Sequence, residues 1–450
     1  MAALEGSKVT VAMGRARTPK VVIVGGGMGG IAAAKKLARA PVDVTLVDAH
    51  NYYLFQPLLY EVAGAIVSVE DITHTIRGLL RGQRNAHFRL GRAVAVDLDR
   101  RELRLEDGEP VRYDFLILAT GLHADVEHVP GATANAFSLK TLEDALRIRN
   151  HLIRRLETVA GHPELLSAGA LDIVVVGGGT TGVEVVAAFS EIYKHALRQE
   201  YPELHFAQAK ITLLEAGETL LSAFHPDLRR WVHRILAENG ADVRLRSPVA
   251  EIGPASVTLA GGEEIQAGMV VVATGVRGTP LAETLGVAQA PGGRVLVEPN
   301  LSVPGHPEVF AVGDMAALPT PNGGLHPALA QFAMQGGRHV AREIRRQLAG
   351  KPSRRFRYLD KGMTSMVGYN AAVLQSGRIR LRGGLAFLLW GALHAYYVPG
   401  FRNRLSLRVT WIWSWLTRRR AALLLIGETQ VPDEPLEAPP PREADVRPRS

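Results

Sequence analysis

Short apolar runs that end in clustered glycines occur at two places in the chain. Residues 21–24 (VVIV) lead into GGGMGG at 25–30, and residues 173–176 (IVVV) lead into GGGTTG at 177–182. A helix pattern of alanine, leucine and valine follows each glycine cluster. Apolar runs of this length bounded by glycine are typical of buried strands. Strand, glycine turn and helix in this order predict a parallel sheet flanked by helices.

The same architecture appears once in each half of the chain. Besides its glycine cluster, each half contains an apolar strand that ends in the tripeptide ATG, FLILATG at 115–121 and VVVATG at 270–275. An internal duplication of this kind indicates two copies of one structural unit. The predicted fold class is α/β with two Rossmann-like dinucleotide-binding domains.

The first glycine cluster has the GxGxxG spacing of a dinucleotide-binding turn. We expect Gly25 to allow the tight turn, Gly27 to let a pyrophosphate approach, and Gly30 to let helix and strand pack closely. The following helix adds free N–H groups and a positive dipole at its N terminus. The next strand ends at Asp48, 23 residues after Gly25, where a carboxylate suits the hydroxyls of an adenosine ribose.

The second glycine cluster repeats this spacing at Gly177, Gly179 and Gly182. Its strand ends at Glu215, 38 residues after Gly177, where about 20 is usual. We therefore expect an insertion around residues 193–210. No Lys or Arg directly follows Glu215, and a 2′-phosphate would meet a carboxylate. The prediction is NADH in preference to NADPH.

A further apolar strand, EVFAVGD at 308–314, ends at Gly313 and Asp314. In flavoproteins that bind two dinucleotides, an aspartate at such a turn hydrogen-bonds the ribityl chain, although it is also a common helix N-cap. We expect this strand to return to the first half. The prediction is therefore FAD on the first glycine loop and NADH on the second.

Composition narrows the chemistry of the 450-residue chain. Apolar residues make up 47% and no cysteine is present, which excludes disulfides, thiolate metal sites and catalytic thiols. The histidines show no HxxxH or HExxH spacing, so no metal site is expected. Residues 361–427 hold ten basic residues and no acid. The net charge of the chain is +8, so the rest of the chain has a net charge of −2. Basicity this local argues against binding of nucleic acid.

The C-terminal region combines apolar runs with tryptophan and arginine. Residues 385–398 are apolar but only 14 long, whereas a spanning helix needs about 20. Pro399 and Gly400 interrupt the pattern, and residues 405–416 continue it between arginines. Four of the five tryptophans lie here, at 390, 411, 413 and 415. This predicts an amphipathic helical segment on an anionic membrane surface; a buried dimer interface is the alternative, and both can hold together.

These patterns divide the chain into segments. We expect a disordered tail at 1–19, an FAD-binding domain in two parts at 20–125 and 291–350, an NADH-binding domain at 126–290, a membrane-anchoring segment at 351–427, and a disordered Pro-rich tail at 428–450.

Several longer motifs resemble the type II NADH dehydrogenases, the monotopic, non-proton-pumping NADH:quinone oxidoreductases. NYYLFQPLLYEVAGA at 51–65, SLKTLEDALRIRNHLI at 138–153 and GGGTTGVEVV at 177–186 are similar to segments of that family. AQFAMQGG at 330–337 matches its AQxxxQ signature, and residues 361–416 look like its membrane segment. The resemblance covers roughly residues 20–425, with Asp48 where Glu is common.

The resemblance implies hydride transfer from NADH to FAD and then transfer of two electrons to a membrane quinone, with the cofactor carrying the chemistry. Gln331 and Gln335 share a helix face that, by resemblance, adjoins the isoalloxazine ring and the quinone. Glu184 by resemblance relays protons. The alternatives are two solvated glutamines and a carboxylate that only stabilises a helix dipole. The expected cofactor-binding residues are Gly25, Gly27, Met28, Gly29, Gly30, Asp48, Gln56, Ala119, Thr120, Gly121, Gly313, Asp314, Gly177, Gly179, Thr181, Gly182, Glu215, Ala273, Thr274 and Gly275.

The family also implies a respiratory enzyme, a homodimer and a peripheral location on the cytoplasmic face of a bacterial inner membrane. Two other functions stay open at this point. One is an NADH-dependent flavoprotein reductase of a soluble electron carrier, which would need a docking patch for an acidic carrier. The other is a sensor that holds FAD and NADH but turns over slowly.

Overall fold

The computed structural model describes residues 17–417 and 423–425. The two predicted tails lie outside the described residues, apart from residues 17–19, and the first strand begins at Lys20. The α-helices are α1 (Met28–Lys36), α2 (Leu59–Ala63), α3 (Val69–Ile72), α4 (Ile76–Leu79), α5 (Ala132–Asn135), α6 (Leu142–Gly161), α7 (Glu164–Ser167), α8 (Thr180–Glu191), α9 (Leu197–Glu200), α10 (Pro226–Glu238), α11 (Pro280–Glu283), α12 (Ala330–Leu348), α13 (Gly384–Tyr397) and α14 (Phe401–Thr417).

The strands fall into several sheets. In chain order they are β1 (Lys20–Val24), β2 (Asp43–Asp48), β3 (Tyr52–Leu54), β4 (Thr73–Thr75), β5 (Ala86–Leu90), β6 (Ala93–Asp97), β7 (Glu102–Leu105), β8 (Val111–Arg112), β9 (Phe115–Leu118), β10 (Leu122–Ala124), β11 (Phe137–Ser138), β12 (Ile173–Val176), β13 (Ile211–Leu214), β14 (Ala241–Arg244), β15 (Val249–Ile252), β16 (Ser256–Leu259), β17 (Glu264–Gln266), β18 (Met269–Val272), β19 (Val276–Gly278), β20 (Gln289–Ala290), β21 (Arg294–Leu296), β22 (Ser302–Val303), β23 (His306–Ala311), β24 (Ala316–Ala317), β25 (Met363–Gly368), β26 (Ala371–Ser376) and β27 (Ile379–Gly383).

The first large sheet has the order β22-β23-β9-β1-β2-β5. Strands β1, β2, β5, β9 and β23 run parallel, and β23 lies against β9. The strand that ends before Gly313 therefore does return to the first half of the chain. Because β1 is covered on both faces, its four residues after Lys20 are all buried and apolar.

The second large sheet has the order β11-β18-β12-β13-β14, with parallel pairing throughout. Strands β12 and β18 lie side by side as β1 and β9 do in the first sheet. The predicted insertion between α8 and β13 is present: a π-helical turn at Ile192–Ala196, then α9 and a short 3₁₀ turn at Phe206–Gln208. The two sheets confirm the predicted α/β fold class.

The two halves meet at a short antiparallel ribbon. Strand β10 pairs with β19, and each begins directly after one copy of the ATG tripeptide. The long helix α12 packs along α1, where a Cβ on Gly337 would lie 2.1 Å from the Gly29 carbonyl oxygen. Only glycine permits so close an approach, so α12 is held tightly against the helix of the first glycine loop.

The C-terminal region begins with a sheet that the sequence did not predict. Strands β25, β26 and β27 form an antiparallel meander, and helices α13 and α14 follow it. The predicted break at Pro399 and Gly400 separates the two helices as expected. The prediction that all four tryptophans lie at a membrane interface is wrong for Trp390, which is 2% exposed in the core.

Candidate functional site

The first glycine loop has the geometry of a nucleotide cradle. Gly25 has φ +104°, and a Cβ there would lie 2.4 Å from the Ala119 carbonyl oxygen. A Cβ on Gly30 would lie 1.9 Å from the Gly25 carbonyl oxygen, whereas Gly27 faces open space. The backbone at Gly27 is therefore free for a pyrophosphate to approach, directly before the N terminus of α1, where Met28 and Gly29 begin the helix.

Asp48 closes this loop from the end of β2. Its Oδ2 accepts a hydrogen bond from the Gly26 N–H at 2.5 Å, and its Oδ1 accepts one from the His50 N–H at 2.7 Å. The hydrogen bond and charge of Asp48 raise the pKa of the His50 imidazole. A carboxylate fixed in this way beside the turn fits the ribose of a dinucleotide.

The second glycine loop repeats the first almost atom for atom. Gly177 has φ +113°, a Cβ on Gly182 would lie 1.9 Å from the Gly177 carbonyl oxygen, and Gly179 faces open space. Glu215 accepts hydrogen bonds from the N–H groups of Gly178 and Gly217, both at 2.6 Å. The late acid at 215 thus takes the position of Asp48, with Thr181 in the first turn of α8.

An arginine that sequence reasoning missed lies beside Glu215. The Arg246 N–H donates to the Gly217 carbonyl at 2.9 Å, and its guanidinium pairs with Glu218 at 2.9 Å. This arginine comes from the loop after β14, so nothing near residue 215 in the sequence signals it. Both side chains of this ion pair are exposed, so Glu218 neutralises little of the Arg246 charge, and the predicted preference for NADH rests on the Glu215 carboxylate.

The ATG tripeptides sit beside the glycine loops at the ends of β9 and β18. Gly121 and Gly275 have φ +72° and +73°, a left-handed conformation that glycine adopts without strain. Thr120 Oγ1 lies 3.0 Å from Thr279 Oγ1. In the other half, Ala273 lies under Gly182, with its Cβ 3.5 Å from a Cβ built there. Thr274 Oγ1 lies 3.5 Å from a His128 ring nitrogen.

Asp314 is paired with a lysine that sequence reasoning also missed, and this lysine lies in the 126–290 segment. Lys140 Nζ lies 3.9 Å from Asp314 Oδ2, and Gln56 Nε2 donates to the Lys140 carbonyl at 3.2 Å. Gly313, which precedes Asp314, has φ +68° and packs on Ala333 of α12. Through Lys140, the structure therefore links Gln56 to the Gly313–Asp314 turn. The sequence feature that could have pointed to Lys140 is its position directly before Thr141, the N-cap of α6.

Both glutamines of α12 are engaged by the chain that follows the helix. Gln331 donates to Asp360 Oδ1 at 3.1 Å and to the Gly362 carbonyl at 2.9 Å, and accepts from the Lys361 N–H at 2.9 Å. Gln335 donates to the Leu359 carbonyl at 2.9 Å and accepts from the Leu359 N–H at 3.0 Å. These amides hold residues 359–362 against α12, so they are not simply solvated side chains.

Glu184 lies on α8, one turn after the second glycine loop. Its Oε1 accepts from the Met366 N–H of β25 at 3.4 Å. Although the side chain keeps some surface access, burial raises the pKa of Glu184 to about 8. Hydrogen bonds from Met366 and Ser365 oppose this rise in pKa, and the charge of Glu61 adds to it. A raised pKa favours the protonated form of Glu184 at neutral pH, whereas a carboxylate that stabilises the helix dipole acts in its charged form.

The last helix is fixed to the first domain by polar contacts. Trp411 Nε1 donates to the buried Glu61 Oε2 at 2.8 Å, and Ser406 donates to the buried Asp71 Oδ1 at 2.6 Å. Asn403 donates to the carbonyl oxygens of Glu70 and Thr73 at 2.8 and 2.6 Å. Helix α14 is thus part of the folded body.

The outer faces of α13 and α14 expose large apolar side chains. Examples are Leu388 at 67%, Phe401 at 82% and Leu416 at 66% exposed. Among residues 17–417 and 423–425, no helix combines the length and the hydropathy that a membrane span requires.

Comparisons with known proteins agree with this geometry. The family model described as pyridine nucleotide-disulphide oxidoreductase matches residues 19–337. The type II NADH:quinone oxidoreductase NdhA of Mycobacterium tuberculosis is 35% identical over 428 residues, which cover 91% of this chain and 90% of that protein. A second relative from the same organism, the type II NADH:quinone oxidoreductase Ndh, is 34% identical over 429 residues, which cover 92% of this chain and 91% of that protein.

Solved structures have the same fold. NDH2 from Plasmodium falciparum in complex with NADH superposes with a TM-score of 0.81 at 20% identity and covers 90% of this chain and 100% of that chain. The sulfide:quinone oxidoreductase of Aquifex aeolicus superposes with a TM-score of 0.70 at 22% identity, over 86% of this chain and 92% of that chain. At this identity the likeness describes the fold.

Proposed function

Because this chain belongs to the type II NADH:quinone oxidoreductases, within the pyridine nucleotide-disulphide oxidoreductase family, we propose that it passes two electrons from NADH through FAD to a membrane quinone, without pumping protons. The observation that carries the proposal is the repeated cradle, two glycine loops each closed by a carboxylate, with Glu184 and its contact to the Met366 N–H on the helix that follows the second loop. The absence of cysteine leaves no thiol pair for disulfide chemistry.

FAD belongs on the first loop and NADH on the second. Open backbone at Gly27 and the fixed Asp48 fit one dinucleotide, and Gly179 with Glu215 fits the other. The FAD domain then comprises 20–125 and 291–350, and the NADH domain 126–290. Support for this order comes from β23, which brings Asp314 to the first sheet beside Lys140 and Gln56.

Bound FAD would supply the redox chemistry, accepting a hydride from NADH and giving up electrons to the quinone. The chain's own task is to place the reactants and to manage protons. Quinone reduction consumes protons, and Glu184 holds one at its carboxyl group below about pH 8. Glu184 is therefore our candidate for the group that delivers a proton near the reacting quinone.

In this proposal, Gln331 and Gln335 hold neighbouring residues in place. Their amides hold residues 359–362, and β25, which begins at Met363, carries the Met366 N–H that contacts Glu184. Loss of either amide would loosen the strand next to the proposed proton donor. A direct contact from Gln331 to a quinone carbonyl oxygen would need an Nε2 hydrogen now donated to Asp360 or Gly362, because both carbonyl oxygens only accept hydrogen bonds.

The membrane supplies the quinone, and the C-terminal helices are our candidates for the attachment. The apolar faces of α13 and α14 suit insertion into one leaflet, and residues 361–427 carry ten basic residues and no acid. Attachment on the cytoplasmic face of a bacterial inner membrane would give access to cytoplasmic NADH. A homodimer would cover part of the same apolar faces.

The test is to purify the protein, identify its bound flavin and follow NADH oxidation with a water-soluble quinone. We expect about one FAD per chain and quinone-dependent oxidation that is much faster with NADH than with NADPH. Fast turnover with a soluble iron–sulfur carrier but slow turnover with quinone would instead favour the carrier reductase. Tight binding of FAD and NADH with negligible turnover would favour the sensor.

A further inference from the structure

A groove of about 680 Å³ separates the NADH half from the C-terminal sheet. One wall is helix α10, which contributes Asp227, Arg230, Trp231 and Arg234, and the other is strand β27, which contributes Arg380 and Arg382. Four guanidinium groups and one carboxylate therefore line the groove. The two walls are far apart in sequence, so only the folded chain brings these arginines together.

The arginines of this groove are unevenly paired. Asp227 Oδ1 lies 2.5 Å from Arg230, and Arg234 lies 3.7 Å from Glu238. Both of these contacts are between exposed side chains, which neutralise little charge in water. Within residues 17–417 and 423–425, no ion pair engages Arg380 or Arg382. The groove thus has a net positive charge and donor groups free to bind an anion.

The groove opens next to the apolar helices. Arg382 is three residues before Leu385, which is 59% exposed at the start of α13, and Ile379 at the other end of β27 is 60% exposed. Three residues of chain span at most about 10 Å. A ligand with a charged head in the groove could therefore place an apolar tail along α13.

We propose that this groove binds the phosphate headgroup of an anionic phospholipid, held between Arg230 and Arg234 on α10 and Arg380 and Arg382 on β27. The proposal rests on the membrane attachment proposed above and adds a defined lipid site to it. Planar guanidinium groups bind phosphate oxygens in pairs of hydrogen bonds, which diffuse surface charge does not require. The site also gives the NADH half its own contact with the membrane.

The test measures partition of the FAD-loaded protein onto vesicles of phosphatidylcholine alone and of phosphatidylcholine with phosphatidylglycerol. At about 1 kcal/mol for each arginine near an anionic surface, Arg380→Gln with Arg382→Gln should weaken binding to the anionic vesicles about 30-fold. Arg230→Gln with Arg234→Gln should act in the same direction. Binding to phosphatidylcholine alone should change little, because the apolar faces stay intact.

The matched control is Arg342→Gln with Arg345→Gln, which removes two exposed arginines from α12 that do not line the groove. This control should bind the anionic vesicles nearly as well as the unchanged protein. All variants should keep their rate with NADH and a soluble quinone. Arg380→Lys with Arg382→Lys should bind less well than the unchanged protein, because lysine keeps the charge but loses the paired hydrogen bonds.

Three results would overturn the site. If Arg380→Lys with Arg382→Lys binds like the unchanged protein, the groove contributes only diffuse charge. If groove and control variants bind anionic vesicles equally, the groove does not hold a lipid headgroup. If, in that case, glycerol 3-phosphate binds the unchanged protein but not the groove variants, the ligand is a free phosphate. Failure of the unchanged protein to bind either vesicle would instead refute the membrane attachment itself.

Discussion

Trp411 on the last helix donates its indole N–H to Glu61 Oε2 at 2.8 Å, across 350 residues of sequence. Glu61 is buried on α2, and its charge acts on Glu184. The helix that exposes apolar side chains to the outside is therefore hydrogen-bonded to a carboxylate next to the proposed proton donor. This contact places the C-terminal helices in the same folded unit as the site.

The first prediction concerns that hydrogen bond. Trp411→Phe keeps an aromatic ring but removes the donor to a buried carboxylate, which should lower the free energy of unfolding by about 1–3 kcal/mol. Chemical denaturation of the FAD-loaded protein measures the change. Trp413→Phe is the control, because Trp413 is 56% exposed and should have little effect. Equal stabilities for the two variants would show that the Trp411 contact is unimportant.

The second prediction follows from the pKa of Glu184, which is about 8 in the folded chain against an ordinary 4.5. Between these values the unfolded chain gives up a proton that the folded chain keeps, so Glu184 makes the protein less stable as pH rises through this range. Glu184→Gln removes that dependence. Its stability relative to the unchanged protein should therefore increase from about pH 5 to pH 8, and parallel curves would contradict the raised pKa. Glu218→Gln, at an exposed position, is the control.

The same carboxyl group predicts a pH dependence of activity. If Glu184 delivers a proton to the quinone, kcat with a soluble quinone should fall as pH rises above about 8, where the group loses its proton. Glu184→Gln should be slow at all pH values and lack this step. A variant with full activity and the original pH profile would remove Glu184 from the mechanism.

The third prediction concerns the nicotinamide cofactor. Glu215→Ala removes charge-assisted hydrogen bonds worth about 1.5–3 kcal/mol, so KM for NADH should rise about 10- to 100-fold while FAD stays bound. KM for NADPH should fall, because the carboxylate no longer repels a 2′-phosphate. Steady-state kinetics with both cofactors measure this. If Glu215→Ala loses FAD and its KM for NADH is unchanged, the assignment of the two loops is reversed. The account expects loss of FAD in a different variant, Asp48→Ala.

The two halves of the chain could be predicted from sequence because their determinants are local. Gly25 and Gly177 must be glycine for reasons that the GxGxxG spacing states directly, and the acids at 48 and 215 end strands whose apolar pattern is continuous. Glu215 could be identified despite its large separation from Gly177, because the additional residues form helical turns of their own. The local sequence pattern therefore predicted both glycine loops and the carboxylates that close them.

The C-terminal region was less predictable because its contacts are long-range. The abundance of tryptophan and arginine in 361–427 obscured strands β25 to β27, of which only β27 (IRLRG) alternates between apolar and charged residues, although Gly377 marks a turn between two of these strands. Trp390 and Trp411 were grouped with the exposed Trp413 and Trp415, since nothing local shows that one is buried and one hydrogen-bonded to Glu61. The sequence placed Gln331 and Gln335 on one helix face, but their partners at 359–362 depend on the fold and could not be predicted.

The fourth prediction concerns Gln331. Gln331→Ala releases residues 360–362 from α12 and should slow reoxidation of the flavin by quinone, while reduction of the flavin by NADH keeps its rate. Stopped-flow measurement of the two half-reactions separates these effects. Gln335→Ala is the comparison, since it frees only Leu359. A defect confined to reduction by NADH would place Gln331 on the nicotinamide side.

The most direct test of the central claim is the stoichiometry of electron transfer in a membrane. The FAD-loaded protein is added to vesicles that contain a long-tailed quinone and a pH-sensitive dye, and NADH is supplied outside. Each NADH oxidised consumes one proton outside, so the outer medium is strongly buffered and the dye is trapped inside. The account predicts one quinol formed for each NADH oxidised and no change of pH inside the vesicles. Oxidation of NADH without formation of quinol, or a change of internal pH with turnover, would contradict it.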